Sequence, residues 1–235
     1  MRINVYISST GFCSRRDADR FIAAGRVAVN GVKAVIGMDV GASDRVTVDG
    51  KPVKHERPTI YIACHKPLGV ESTTDESKTN NIVSYIHHQE RIFPIGRLDK
   101  DTSGLILLTN DGQIVNRILR AENAHEKEYV VEVDVPIDDA FVHAMEAGVV
   151  IYNPVRHEQT RTRPCKLIPI DGTTFRLVLT QGLNLQIRRM CDALGRHVVS
   201  LRRIRIMNVN LGSLPYGDWR NLTRAELDGL MKMLA

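Results

Sequence analysis

Apolar and polar positions along the 235-residue chain predict its elements before any chemistry is considered. Residues 2–10 read as a short helix broken at Gly11. Ser14-Arg-Arg-Asp17 then forms a capping box, in which hydroxyl and carboxylate satisfy free amides at a helix start. Ala18, Phe21 and Ile22 share the apolar face of that helix, Arg15, Arg16 and Asp19 face elsewhere, and Gly25 ends it in a left-handed cap. Val27-Ala-Val29 alternates, Asn30-Gly31 signals a two-residue hairpin, and Lys33 to Ile36 reads as the returning strand. Val46-Thr-Val48 before Asp49-Gly50 repeats that logic. The first fifty residues therefore predict two helices followed by a hairpin-rich sheet.

Residues 51–58 carry two prolines and several charges, a linker composition, so the expected division is 1–52, a linker at 53–60, and a second domain over 61–235. In the second domain a strand pattern runs from Thr59 to Cys64 into the turn Lys66-Pro67-Leu68-Gly69, and Ile82, Val83 and Ile86 mark a short helix. Residues 93–112 read as strand, loop, strand: Ile92, Phe93 and Ile95 lead to Gly96-Arg97-Leu98-Asp99, a polar turn reaches Gly104, and Leu105 to Leu108 form a second apolar run. Asp111 is placed to cap a helix striped by Ile114, Val115, Ile118 and Leu119. Tyr129 opens a strand of alternating valines, 138–147 is a helix stopped by Gly148, and 166–180 is a hairpin turning at Asp171-Gly172. Ile187, Met190, Cys191 and Leu194 stripe a helix ended by Gly195, strands rich in Ile, Val and Arg follow, and Thr223-Arg-Ala-Glu226 boxes the start of a last helix. Strands beside strands, with helices interspersed irregularly, predict an α+β fold with a mixed, largely antiparallel sheet rather than regular βαβ units.

Composition adds limits. Hydrophobic content of 43% and charged content of 25% are ordinary for a globular protein. No run approaches the ~18 apolar residues of a membrane span, and the first residues lack a signal peptide's apolar core, so the expectation is a cytoplasmic monomer without a membrane partner. The scattered Cys13, Cys64, Cys165 and Cys191 read as free thiols, with no metal site expected. The net charge of +5 is unevenly placed. Arg2, Arg15, Arg16, Arg20, Arg26 and Lys33 crowd the start, and Arg188, Arg189, Arg196, Arg202, Arg203 and Arg205 a later stretch, which points to nucleic acid as partner.

Phosphate-loop, dinucleotide, serine-hydrolase and zinc-protease motifs are all missing from the sequence. What remains is a loop carboxylate, Asp99, with an aromatic and arginines for company. On local grounds alone Asp99 and Asp101 are equally turn residues.

Two resemblances extend this. Residues 13–31, from Cys13-Ser-Arg-Arg-Asp to Val29-Asn-Gly31, resemble the S4 RNA-binding domain, departing from it at Val5, where the family has a basic residue. Gly96-Arg97-Leu98-Asp99-Lys-Asp-Thr-Ser-Gly104, preceded by Lys66-Pro67-Leu68-Gly69 and followed by Lys127-Glu-Tyr129 and Gln186-Ile187-Arg188-Arg189-Met190, resembles the RNA pseudouridine synthases of the RsuA type. Within that family the stretch from Leu183 to Cys191 and the ending from Asn208 to Thr223 are most similar to the RluF branch, which acts on large-subunit (23S) ribosomal RNA. Leu185 stands where relatives carry Arg or His.

The resemblance implies Asp99 as the catalytic aspartate, Tyr129 as the aromatic stacking on the target base, Ile187 as an apolar neighbour of the uracil, and Arg188 as the arginine pairing with the aspartate. It implies Arg97 near the flipped nucleotide or its phosphate, and Arg15, Arg16, Arg20, Arg26 and Arg189 toward RNA. Isomerising uridine breaks N1–C1′, rotates the uracil and joins C5 to C1′, chemistry that requires no cofactor. An ionised carboxylate serves it as nucleophile or as base, and base extrusion gives it access. Transfer RNA remains open as a substrate. Two other readings remain: a non-catalytic RNA-binding or ribosome-assembly factor, and a base-removing glycosidase using Asp99 and Asp101.

Overall fold

The computed structural model describes residues 1–54, 58–75, 77–120 and 123–234. The chain divides into two compact units. The first gathers 1–60 with the short segments 88–92 and 109–113, and the second holds the remainder. Residues 55–57 of the expected linker lie outside the described residues.

In the first unit, α1 (Ile3–Ser9) and α2 (Arg15–Ala23) precede a four-stranded sheet of order β2-β1-β3-β4, with β1 at Val27–Val29, β2 at Val32–Lys33, β3 at Val46–Val48 and β4 at Lys51–Pro52. Both dipeptide turns take positive φ at both central residues, Asn30 and Gly31 in one and Asp49 and Gly50 in the other. That is the mirror-image turn whose twist matches antiparallel strands. Ser14 Oγ accepts from Asp17 N at 3.1 Å and donates to the Asp17 carboxylate at 2.6 Å, so the helix start is closed largely as the sequence predicts. Ile3, Ile7, Ala18 and Ile22 pack with Val27, Val29, Val46 and Val48 into one core.

The second unit is built on a nine-stranded sheet. Its main path runs β11 (Lys166–Pro169), β12 (Thr174–Leu179), β8 (Lys127–Val133), β13 (Val198–Ile206), β7 (Ser103–Thr109), β5 (Tyr61–Lys66) and β15 (Trp219–Asn221). The ladders β11/β12, β12/β8, β8/β13 and β15/β5 are antiparallel, whereas β13 and β7 run parallel. The expected mixed, mostly antiparallel α+β architecture is what the chain adopts. Phe93–Pro94 (β6) joins β7, and Val209–Asn210 (β14) joins β13.

Two apolar clusters cover this sheet. One packs Val131, Val133, Phe175 and Leu177 under α5 (Asp139–Ala147) and α6 (Gln186–Ala193). The other packs Leu105, Leu107 and Ile206 with α4 (Gly112–Leu119) and α7 (Arg224–Met233). The capping box at Thr223 is complete, with Glu226 also held by Arg220 at 2.7 Å. A short α3 occupies Ile82–Ile86. The sequence pattern leaves 150–165 without an element, yet β9 (Val150–Asn153) and β10 (Glu158–Arg161) pair as a separate hairpin. Strand β10 consists of Glu, Gln, Thr and Arg and so carries no apolar alternation to announce it.

Candidate active site

Residues 95–102 join β6 to β7, and every carbonyl from 97 to 101 accepts a hydrogen bond. Arg203 Nη1 reaches the Arg97 carbonyl at 3.4 Å, Ser72 Oγ the Leu98 carbonyl at 2.7 Å, and Thr102 N closes a turn on the Asp99 carbonyl at 3.0 Å. Gly69 N and Lys66 Nζ reach the Lys100 carbonyl at 2.9 and 3.4 Å, and Arg188 Nη2 the Asp101 carbonyl at 2.7 Å. Leu98 N in turn donates to Ser72 Oγ at 3.0 Å, and Leu98 itself is buried. The donors come from β5, its following turn, α6 and β13, so the loop is fixed from several directions at once. The half-buried Asp99 carboxylate makes no hydrogen bond or ion pair among the described residues. It is the reactive group that a rigid backbone presents.

Beneath the loop sit buried cations. Lys66 is wholly buried at the end of β5, and its Nζ donates to the carbonyls of Pro67 and Val70 at 2.9 and 2.8 Å as well as to Lys100. Burial pushes its ammonium down to about 8, and the charge of Arg203 acts in the same direction, while Asp101 and Asp99 oppose it. Lys127 is likewise held below its usual range by burial and then by Arg203.

Arg203 occupies the middle of β13, its backbone paired with Tyr129 of β8 on one side and Gly104 of β7 on the other. A Cβ on Gly104 would lie 2.2 Å from the Arg203 carbonyl oxygen, and Gly104 has φ +106°, so only glycine lets these parallel strands close here. Tyr129 is half-buried, packs against the cluster containing Ile187, and holds its ring 5.9 Å from the Arg203 guanidinium carbon.

The structure thus places Tyr129 on a strand of the sheet, Asp99 in the loop leading into another, and Ile187 and Arg188 on α6, which packs against it. The expected Arg188–Asp99 ion pair is not formed. The Arg188 guanidinium is taken by two backbone carbonyls, Asp101 at 2.7 Å and Val198 at 3.1 Å, and it therefore fixes the aspartate's loop rather than its carboxylate. Arg97 has an exposed side chain. Arg189 folds back onto Asn184, with Nε 3.1 Å from its carbonyl and Nη2 3.2 Å from its amide oxygen. In the first unit Arg20 pairs with Asp17 at 3.0 Å and Arg26 with Asp49, while Arg15 and Arg16 are exposed and make no ion pair among the described residues.

The second basic cluster is less of a phosphate surface than its composition suggests. Arg203 is buried, Arg205 pairs with Glu126 and Glu128 at 2.9 and 2.8 Å, and Arg196 pairs with Asp138 at 3.0 Å. In the sequence Ser72 carries no role, and Arg203 only that of one cation in a basic cluster pointing to nucleic acid. A charged residue sharing strand parity with the buried Leu201 is the signal that marks Arg203, whereas Ser72 lies in a polar stretch with no signal at all. Among the described residues no group of three His, Cys, Asp or Glu is placed to hold a metal ion.

Comparison with known proteins agrees with this architecture. The RNA pseudouridylate synthase family matches residues 60–193 and the S4 domain residues 1–46. The dual-specificity RNA pseudouridine synthase RluF of Salmonella typhi is 51% identical over 99% of this chain and 79% of its own length. The ribosomal large subunit pseudouridine synthase B of Bacillus subtilis is 36% identical over 97% of this chain and 95% of its own. A crystal structure of a pseudouridylate synthase superposes with a TM-score of 0.71 at 29% identity, covering 98% of this chain and 99% of that one. With an S4 domain at its start and this sheet behind Asp99, the chain belongs to the RNA pseudouridine synthase family, enzymes that isomerise uridine in RNA.

Proposed function

We propose that the enzyme converts a uridine of structured RNA to pseudouridine with Asp99 as its catalytic carboxylate, that large-subunit ribosomal RNA is its first substrate, and that transfer RNA is a second. The observation that carries the Asp99 assignment is the loop: five consecutive carbonyls are occupied and the Asp99 carboxylate is left without a partner. A carboxylate held this way needs no reorganisation before it attacks a sugar or base atom or removes a proton at C2′. The target nucleotide leaves its stack, and the Tyr129 ring and Ile187 offer the uracil an apolar enclosure that limits water while the base rotates. Arg188 acts on this chemistry through the Asp101 carbonyl. Exposed Arg97, Arg15 and Arg16 are available to phosphates. Support for the RNA class comes from the relatives: one is named for the ribosomal large subunit, and those nearer in identity are named dual-specificity.

The test uses RNA tritiated at uracil C5. The wild-type enzyme is expected to release tritium and Asp99→Ala to release none while still binding RNA. Tight binding without release by the wild type would leave only an RNA-binding factor, and free uracil would make it a glycosidase. Mapping pseudouridines in ribosomal and transfer RNA from cells with and without the protein identifies the substrate.

A further inference from the structure

We propose that Arg203, so far only one of the donors to the loop's carbonyls, is the positioning residue that sets Asp99 against Tyr129; the inference rests on Asp99 being the catalytic carboxylate. Its guanidinium spans the loop from both sides. Nε donates to the Leu105 carbonyl at 2.7 Å, after Asp99, and Nη1 to the Arg97 carbonyl at 3.4 Å, before it. The guanidinium carbon lies 5.9 Å from the Tyr129 ring centroid, within reach of a cation–π contact. One planar group therefore touches both the carboxylate's loop and the base-stacking ring, and its backbone is in register with Tyr129 and Gly104.

Stability alone does not explain an arginine here. The side chain is 4% exposed, Lys66 and Lys127 both feel its charge, and its Nη2 is buried without a hydrogen-bond partner. A buried cation beside two others, with an unpartnered donor, costs more than an apolar residue would at a position that shares parity with Leu201. Lysine could not replace it, because an ammonium has no fork with which to span two carbonyls and present a flat face to a ring.

Single-turnover tritium release and RNA half-saturation, measured separately, test the proposal in the full-length protein. Arg203→Met is expected to slow release about a hundredfold, the scale of an ångström-sized misplacement, with half-saturation little changed. Arg203→Lys, folded by near-ultraviolet circular dichroism, is expected to remain slowed about tenfold, and methylguanidinium is expected to restore part of the rate to Arg203→Ala. If Arg203→Met does not fold, Arg203→Lys carries the comparison. A folded Arg203→Lys with the wild-type rate overturns the proposal, as does a loss lying wholly in RNA binding. Asp99→Ala runs in parallel: release by that variant overturns the Asp99 assignment itself, a result distinct from any seen at Arg203.

Discussion

Loop 97–102 and the turn at Asp171-Gly172 both reverse the chain between neighbouring strands, but their hydrogen bonds come from different places. At Asp171 the aspartate binds the turn's own backbone: its Oδ1 accepts from Thr173 N and Thr174 N at 2.9 and 2.8 Å, and Ile170 N reaches the Thr174 carbonyl at 2.8 Å, with Ile137 N reaching the Gly172 carbonyl from outside at 2.8 Å. Around Asp99 the partners of Arg97, Leu98, Lys100 and Asp101 lie in β5, the turn and segment after it, α6 and β13. A turn that only has to reverse direction can use its aspartate to hold its own backbone. A loop that must aim one carboxylate needs its backbone fixed by parts of the molecule that do not move with it.

Three substitutions bear on this contrast. Gly104→Ala has the largest expected effect, because the added Cβ meets the Arg203 backbone at 2.2 Å and φ is +106°. A stability loss of about 3 kcal/mol or more is expected in denaturant unfolding, together with loss of tritium release. A wild-type midpoint would show that the β7–β13 closure is not needed.

Lys66→Met comes next and is read through pH. Folded Lys66 titrates at about 8, below the usual 10.5, so between these values the unfolded chain binds more protons and stability rises with pH. The rise is up to roughly 1.4 kcal/mol per pH unit and should be missing in Lys66→Met. Parallel stability profiles for the two proteins over that window would place the lysine in water rather than under the loop. Asp171→Ala is the smallest: a slight fall in melting temperature with tritium release unchanged, since its bonds are all local. A loss of activity there would erase the contrast between the two turns.

The same contrast governs what the sequence discloses. Asn30-Gly31, Asp49-Gly50, Thr223 with Glu226, and Gly148 announce themselves because what defines them is local: positive φ at the two dipeptide turns, and bonds within three residues at Thr223 and Gly148. The order of motifs around Asp99, Tyr129 and Arg188 places the site on the right elements. It does not give the atom each side chain touches: Arg188 ends on carbonyls rather than on the Asp99 carboxylate. Arg203 reads as one more cation in a basic run, because its burial depends on strands that come from three separated parts of the chain. Strand β10 is hidden for a different reason, since a strand made only of polar residues lacks the apolar parity by which strands are read.

The loop's occupied carbonyls also constrain how related chains can differ in length. Inserting or deleting one residue between Arg97 and Thr102 would move every later carbonyl off its donor at once, so that stretch should keep a constant length among relatives. The exposed turn after Asn153, held mainly through the Asn153 side chain, should be where relatives gain or lose residues.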